Sequence, residues 1–156
     1  MDVRDAAETE IEQLARVWYD GWQDAHALIL PAELKRLRTF ESFRERLQDG
    51  LATVRVAGPS GDPVGFCMVK GDELYQLYVS ARARGAGVAT ALMNDAERRL
   101  AESGVGTAWL ACAIGNDRAA RFYEKRGWVR VGTMANRLDT PGGPYSLDVW
   151  RYEKRL

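Results

Sequence analysis

Residues 74–92 read Leu74-Tyr75-Gln76-Leu77-Tyr78-Val79-Ser80-Ala81-Arg82-Ala83-Arg84-Gly85-Ala86-Gly87-Val88-Ala89-Thr90-Ala91-Leu92. The pattern changes within this stretch. Glu73–Val79 has the length and composition of a strand. After Gly87, the residues Val88, Ala91, Leu92, Ala96 and Leu100 fall at helical spacing, so a helix runs from Gly87 to Ser103 and stops at Gly104. Thr107–Ala113 is then an apolar strand. Strand, helix and strand in this order require a crossover, which makes the two strands parallel neighbours joined in the right-handed sense.

Upstream, the chain reads as a meander. Leu51–Ala57, Val64–Lys70 and Glu73–Val79 are strands joined by the turn cluster Gly58–Pro63 and the hairpin Gly71-Asp72. Such short connections make them antiparallel. The predicted fold class is therefore α/β, with a mixed, mostly antiparallel central sheet flanked by helices and one parallel β-α-β step.

The ends follow the same logic. Val3–Asp5 is a short strand, and Thr9 with Glu12 has capping-box spacing. Ile11, Leu14, Ala15, Trp18 and Trp22 form one face of a helix reaching about Gln23. Pro31 opens a second helix with Leu34 and Leu37, and Thr39 caps a third carrying Phe40, Phe43 and Leu47 up to Gly50. Downstream, Asn116 or Asp117 caps a helix with Ala119, Ala120, Phe122 and Tyr123 on its apolar side, ended by Gly127. Trp128–Met134 and Ser146–Glu153 are the last strands, separated by Thr140-Pro141-Gly142-Gly143-Pro144.

Composition narrows the class. The 156 residues suit one domain spanning 1–156, and 46% hydrophobic with 28% charged residues excludes a disordered chain. No apolar run is long enough for a membrane span, and the acidic first ten residues are not a signal peptide. Cys67 and Cys112 are too few for a disulfide scaffold, and the single His26 excludes a multi-histidine metal centre. No metal is expected, and two free thiols in apolar runs suit a reducing cytoplasm. The net charge is zero, which disfavours nucleic-acid binding. It is unevenly spread: residues 1–78 hold 9 basic and 14 acidic side chains, and residues 79–156 hold 13 and 8. A basic C-terminal half suits one phosphorylated ligand, and an acidic N-terminal half leans toward a cationic substrate. Lys35, Arg36, Arg38, Arg44 and Arg46 interleave with Glu33, Glu41 and Glu45 and read as a solvated face.

The loop between strand and helix is an anion trap. Gly85 and Gly87 allow a tight turn and close approach of a ligand, and the first helical N–H groups lack intrahelical acceptors. The helix dipole adds positive charge, and Arg82 and Arg84 add cationic donors. A Walker loop is absent, and the Rossmann fingerprint fails because Thr90 stands at its last place and Ala111-Cys112-Ala113 offers no acid.

Arg82-x-x-Gly85-x-Gly87-Val88-Ala89, with Leu92 behind it, resembles the acetyl-CoA pyrophosphate loop of the GNAT superfamily of N-acetyltransferases. Leu74–Val79 resembles the strand before that loop. Asn116-x-x-Ala119-x-x-Phe122-Tyr123-x-x-x-Gly127-Trp128 resembles the second cofactor motif of the family. The motifs cover about residues 73–128, and Ala81 departs from a common proline.

This resemblance implies transfer of an acetyl group from acetyl-CoA to a primary amine of a small molecule or peptide, by direct attack in a ternary complex. It implies that Arg82, Arg84, Gly85, Ala86, Gly87, Val88 and Ala89 hold the pyrophosphate. Leu77, Tyr78 and Val79 would pair their backbone with the pantetheine arm, and an N–H there would polarise the thioester carbonyl. Asn116 would reach the pantetheine amide. Tyr123 would protonate the leaving thiolate. Glu73 is the expected base, with ordered water as the alternative, and alternation along the strand places it on one face with Tyr75, Leu77 and Val79. Trp22, His26, Glu73 and Tyr75 are expected to bind the acceptor, with Trp18 and Tyr19 alongside and the loop Asp139–Tyr145 covering them. A homodimer is compatible with the family. Two other readings stay open: an acyl-CoA-binding sensor without catalysis, and a nucleotide-binding module.

Overall fold

Gly71 closes a hairpin at φ +59°, a backbone region that a Cβ disfavours. The hairpin joins β3 (Gly65–Lys70) to β4 (Glu73–Val79). β3 pairs antiparallel with β2 (Val54–Ala57), and β2 with β1 (Val3–Asp5). The computed structural model describes all 156 residues. After β4, helix α4 (Val88–Glu102) crosses to β5 (Thr107–Ala113), which lies parallel to β4. β6 (Val129–Leu138) and β7 (Tyr145–Arg155) complete seven strands in the order β1-β2-β3-β4-β5-β7-β6. The sheet is mixed and mostly antiparallel, as the sequence predicts, with β4–β5 its one parallel pair.

Helices cover both faces. α1 (Ile11–His26), α2 (Ala32–Leu37) and α3 (Phe40–Asp49) bury Leu14, Trp18, Leu34 and Phe43 against Phe66 and Met68 of β3. α4 and α5 (Asp117–Lys125) cover the other face, where Leu92, Met93 and Leu100 meet Cys67 and Leu110. Each of these large side chains contributes roughly 1.5–3 kcal/mol on burial. Gly21 sits inside α1 although glycine weakens a helix interior by about 1 kcal/mol. A Cβ there would lie 2.6 Å from the Tyr78 ring, so the missing side chain lets α1 settle on β4. No helix is long and apolar enough to cross a membrane.

Several local expectations are corrected. Thr9 and Glu12 form no capping box; Glu8–Glu10 is a 3-10 turn in which Glu10 points inward and accepts from the Ala7 N–H. Leu51–Thr53 is a 3-10 turn, because the Thr53 N–H and hydroxyl both bond back to the Gly50 carbonyl. β6 and β7 extend beyond their predicted ends because each pairs with the other from Val129–Glu153 to Leu138–Tyr145. A bulge in β4, where Met68 faces Gln76 but Val69 faces Leu74, breaks the predicted alternation. Tyr75 therefore packs with Tyr78 on the α1 side, while Leu77 and Val79 pack on the α4 side.

Candidate active site

β4 and β5 touch in register at one pair, Glu73 and Trp109, reinforced by the Trp109 N–H donating to the Asp72 carbonyl at 3.1 Å. Beyond that point they diverge. β5 stays paired with β7 along its length, from Thr107–Arg155 to Ala113–Val149, while β4 stays with β3. The wedge between them is a cavity of about 420 Å³. It extends from Arg84 and Ala89 beside the glycine loop to Tyr75 and Arg46 near the start of β4. That volume is ordinary for a small-molecule site.

At the loop, Gly85 and Gly87 stand at φ +82° and +81°. A Cβ at either would meet nothing within 4 Å, so the protein's own packing does not demand glycine there. Six consecutive N–H groups, from Gly85 to Thr90, have no hydrogen-bond acceptor in the protein. Val88 buries its side chain in the core, and Ala89 faces the cavity. Ala86 and Gly87 border a second, shallower hollow with Val3 and Asn94. Arg84 pairs with Asp24 of α1 at 2.9 Å, and Arg118 approaches the same carboxylate at 3.5 Å. Arg82 does not line the cavity; it forms an exposed pair with Asp62.

Glu73, Tyr75, Leu77, Tyr78 and Val79 all line the wedge. Burial pushes the Glu73 carboxyl up to about 7 and Asp72 adds to the rise, while Lys70 and Arg151 oppose it. Tyr78 stacks on Phe66 at 6.0 Å between ring centres. On the other wall, Asn116 caps α5 by accepting the Ala119 N–H at 3.4 Å, which leaves its side-chain NH₂ free. Tyr123 lies one turn beyond Ala119. Burial raises its phenol well above the ordinary range, with Cys112, Tyr78 and Tyr152 adding and no hydrogen bond contributing. Cys112 also lines the wedge, and burial pushes its thiol up to about 12, as it does that of Cys67.

Trp22 and His26 reach the same cavity, their rings 5.3 Å apart. Burial pushes His26 down to about 4, so the imidazole is neutral at pH 7. The loop Asp139–Tyr145 does not itself line the wedge; its flanks do, through Leu138 and Leu147.

The predicted solvated face needs correction. Arg38 is buried and Arg46 half-buried, and both line the cavity. Arg46 had a readable signal: with Phe43 and Leu47 it falls at i, i+3 and i+4, inside the apolar stripe of α3. Asp24 carried no such signal, since its role arises only where α1 meets the glycine loop.

This overall fold recurs in known proteins. A family model described as the acetyltransferase (GNAT) family matches residues 11–128, and the chain belongs to that family. An uncharacterized N-acetyltransferase of Mycobacterium bovis and its counterparts in two strains of Mycobacterium tuberculosis are 37% identical over 101 residues. That match spans 62% of this chain and 65% of the relatives' length. Among solved structures, a GCN5-related N-acetyltransferase from Rhodopseudomonas palustris superposes with a TM-score of 0.76 at 24% identity, covering 99% of this chain and 95% of that one. The PaiA N-acetyltransferase of Thermoplasma acidophilum, solved in complex with coenzyme A, gives 0.69 at 20% identity and covers 99% and 98%. At these identities the structures speak for the shared fold.

Proposed function

We propose that the chain is an acetyl-CoA-dependent N-acetyltransferase that moves an acetyl group to a primary amine of a small molecule or peptide by direct attack in a ternary complex. The observation that carries this reading is the run of six unpaired amides, Gly85 to Thr90, at one end of a wedge that follows the free edge of β4. Those donors, the open space above Gly85 and Gly87 and the α4 dipole fit a diphosphate. Arg84 adds charge there, and Arg82 can leave its exposed partner Asp62 at little cost.

Bound in this way, acetyl-CoA supplies an activated acetyl thioester. The chain's residues do the rest. Past Glu73, β4 has no partner on its β5 side, so Leu77–Val79 can take the extended pantetheine arm as an added strand. An N–H of that edge stabilises the negative charge that develops on the carbonyl oxygen. An alkyl amine with a pKa of about 10 arrives protonated, and Glu73, poised near neutrality, takes its proton. Tyr123 keeps its own proton at neutral pH and can give it to the departing thiolate. Cys112, held as a neutral thiol, is a poor nucleophile, which favours direct attack. The two buried free thiols suit the cytoplasm.

Calorimetry with acetyl-CoA and thiol release with a panel of amines test this reading. Acetyl-CoA binding with amine-dependent thiol release is expected. Binding of NAD or ATP without response to acetyl-CoA overturns it, and acetyl-CoA binding without turnover on any amine reduces it to a sensor.

A further inference from the structure

We infer that the acceptor carries a carboxylate beside its amine, and that Arg38 and Arg46 bind that carboxylate. The inference rests on the acetyltransferase reading and names its substrate class.

Arg38 is 3% exposed, and neither it nor Arg46 takes part in any of the chain's ion pairs. The other buried charges are matched: Glu10 by Arg4, and Asp95 by Arg55, Arg98 and Arg99. Arg38 donates from Nη1 to the backbone carbonyl of Asp139 at 2.8 Å and makes no other hydrogen bond to the protein. Arg46 donates from Nη2 to the Tyr75 hydroxyl at 2.8 Å, lies 4.3 Å from the Trp18 ring centre, and leaves its Nε buried without a partner. The Nδ1 of His26 is likewise buried and unpartnered in the same cavity.

Two like charges therefore face one cavity. Burial, with the nearby Arg46 charge adding and Tyr75, Tyr78 and Asp139 opposing, lowers Arg38 to about 10, which still leaves it cationic at pH 7. A buried cation without a counter-ion is costly, and two that repel each other are more so. Contact with Trp18 offsets part of this for Arg46, but Arg38 has no such contact. An anion entering the cavity satisfies both guanidinium forks, whose planar geometry matches a carboxylate. Within the chain the Asp139 carboxylate acts on Arg38, yet it forms no ion pair with it and does not line the cavity. Glu73 lines the same wedge, yet the charges acting on it are Lys70, Asp72 and Arg151. The cofactor diphosphate does not supply it either, because its amides lie at the far end of β4 beside Arg84. The acidic N-terminal half gave the opposite expectation, a cationic acceptor. Much of its negative charge is held in surface pairs such as Arg44 with Glu12 and Glu41, while the wall it contributes to the cavity is basic.

The test compares amino acids with their carboxamides, and with polyamines, at fixed saturating acetyl-CoA. kcat/KM is read beside calorimetric binding of the same compounds to the CoA-bound protein. Free carboxylates should be preferred over their amides by roughly 10- to 100-fold, the usual worth of a charged hydrogen bond. Arg46→Gln should erase that discrimination through KM, and Arg46→Lys should keep part of it; Tm values for both confirm that they fold. Amides or polyamines used as well as amino acids overturn the inference and leave the acetyltransferase reading standing. A protein that binds no acetyl-CoA overturns that reading, and the inference falls with it.

Discussion

Glu73 and Trp109 face each other as the one in-register pair between two parallel strands, and the wedge between those strands opens from that contact. Glu73 thus sits at the vertex, where little water reaches it, and its carboxyl rises to about 7. If it is the base, it must be ionised to work. Activity should fall about tenfold per pH unit below 7 and level off above it. Glu73→Gln should lower kcat by roughly 100-fold and abolish that limb. A pH–rate profile of both proteins decides the point; an acidic limb that stays in place assigns the proton to water or another group.

The same carboxyl should weaken the fold. The folded protein keeps this proton up to about pH 7, whereas an unfolded chain releases it near the ordinary 4.5. Between those values the folded state binds more protons, so stability drops as pH rises through the window and stays lower above it. Glu73→Gln should therefore stabilise the protein by about 1 kcal/mol above neutrality, a figure reduced for the water in the wedge, and change little near pH 4. Denaturant titrations at the two pH values measure the difference.

Gly85 and Gly87 share the left-handed backbone region with Gly104 at the far end of α4, and a Cβ meets open space at all three. Asparagine tolerates that region, so each Gly→Asn change should carry a similar, small strain. Only the loop positions should raise the acetyl-CoA KM, by roughly tenfold or more, because only there does the side chain enter the space assigned to the diphosphate. Equal KM values for Gly87→Asn and Gly104→Asn would remove the loop from cofactor binding.

Tyr123 holds its hydroxyl without a protein partner, so Tyr123→Phe removes no internal hydrogen bond. Stability should change by less than about 0.5 kcal/mol. kcat should fall roughly 10- to 100-fold with acetyl-CoA affinity nearly unchanged. Thermal melts and steady-state kinetics separate the two effects, and full turnover would show that thiolate departure needs no acid here.

Most of the scaffold could be read from local pattern. β4 and β5 fall on their predicted residues, and Thr39 and Asn116 cap the helices expected of them. Those features depend on neighbours in sequence. The bulge that turns Tyr75 away from Leu77 depends on how β3 pairs with β4, which alternation along one strand does not encode. Arg38 failed for a similar reason: it sits among charges in sequence, and its one hydrogen bond to the protein reaches Asp139, 101 positions away. The glycine loop was legible because positive φ and free amides are local properties. At the opposite end of the wedge Trp22, His26, Glu73 and Tyr75 were legible, whereas the basic wall of Arg38 and Arg46 was not, since it is assembled from separate helices.

The half-buried Arg4 and the buried Glu10 form a two-pronged ion pair. Arg4 donates to both carboxylate oxygens, at 2.9 and 2.7 Å, while Glu10 accepts the N–H groups of Ala7 and Gly61. Arg4 also reaches the carbonyls of Gly58 and Pro59, so the pair ties β1 and the start of α1 to the turn after β2. The Arg4 guanidinium holds Glu10 down to about 2, against an ordinary 4.5. A lowered carboxyl stabilises the fold above pH 4.5 and loses that effect as pH falls through about 2. Glu10→Gln should cost about 2 kcal/mol near neutrality, because it removes the charged bonds to Arg4 and weakens those to both turns, while the partly exposed Arg4 stays in reach of water. The gap from the native protein should stay constant down to about pH 4.5 and close as the pH approaches 2. Replacing both residues, as Arg4→Met with Glu10→Leu, should recover most of the loss, since no unpaired charge is left behind. Urea titrations across that range measure all three proteins, and a gap that widens in acid would assign the stabilisation to a different carboxylate.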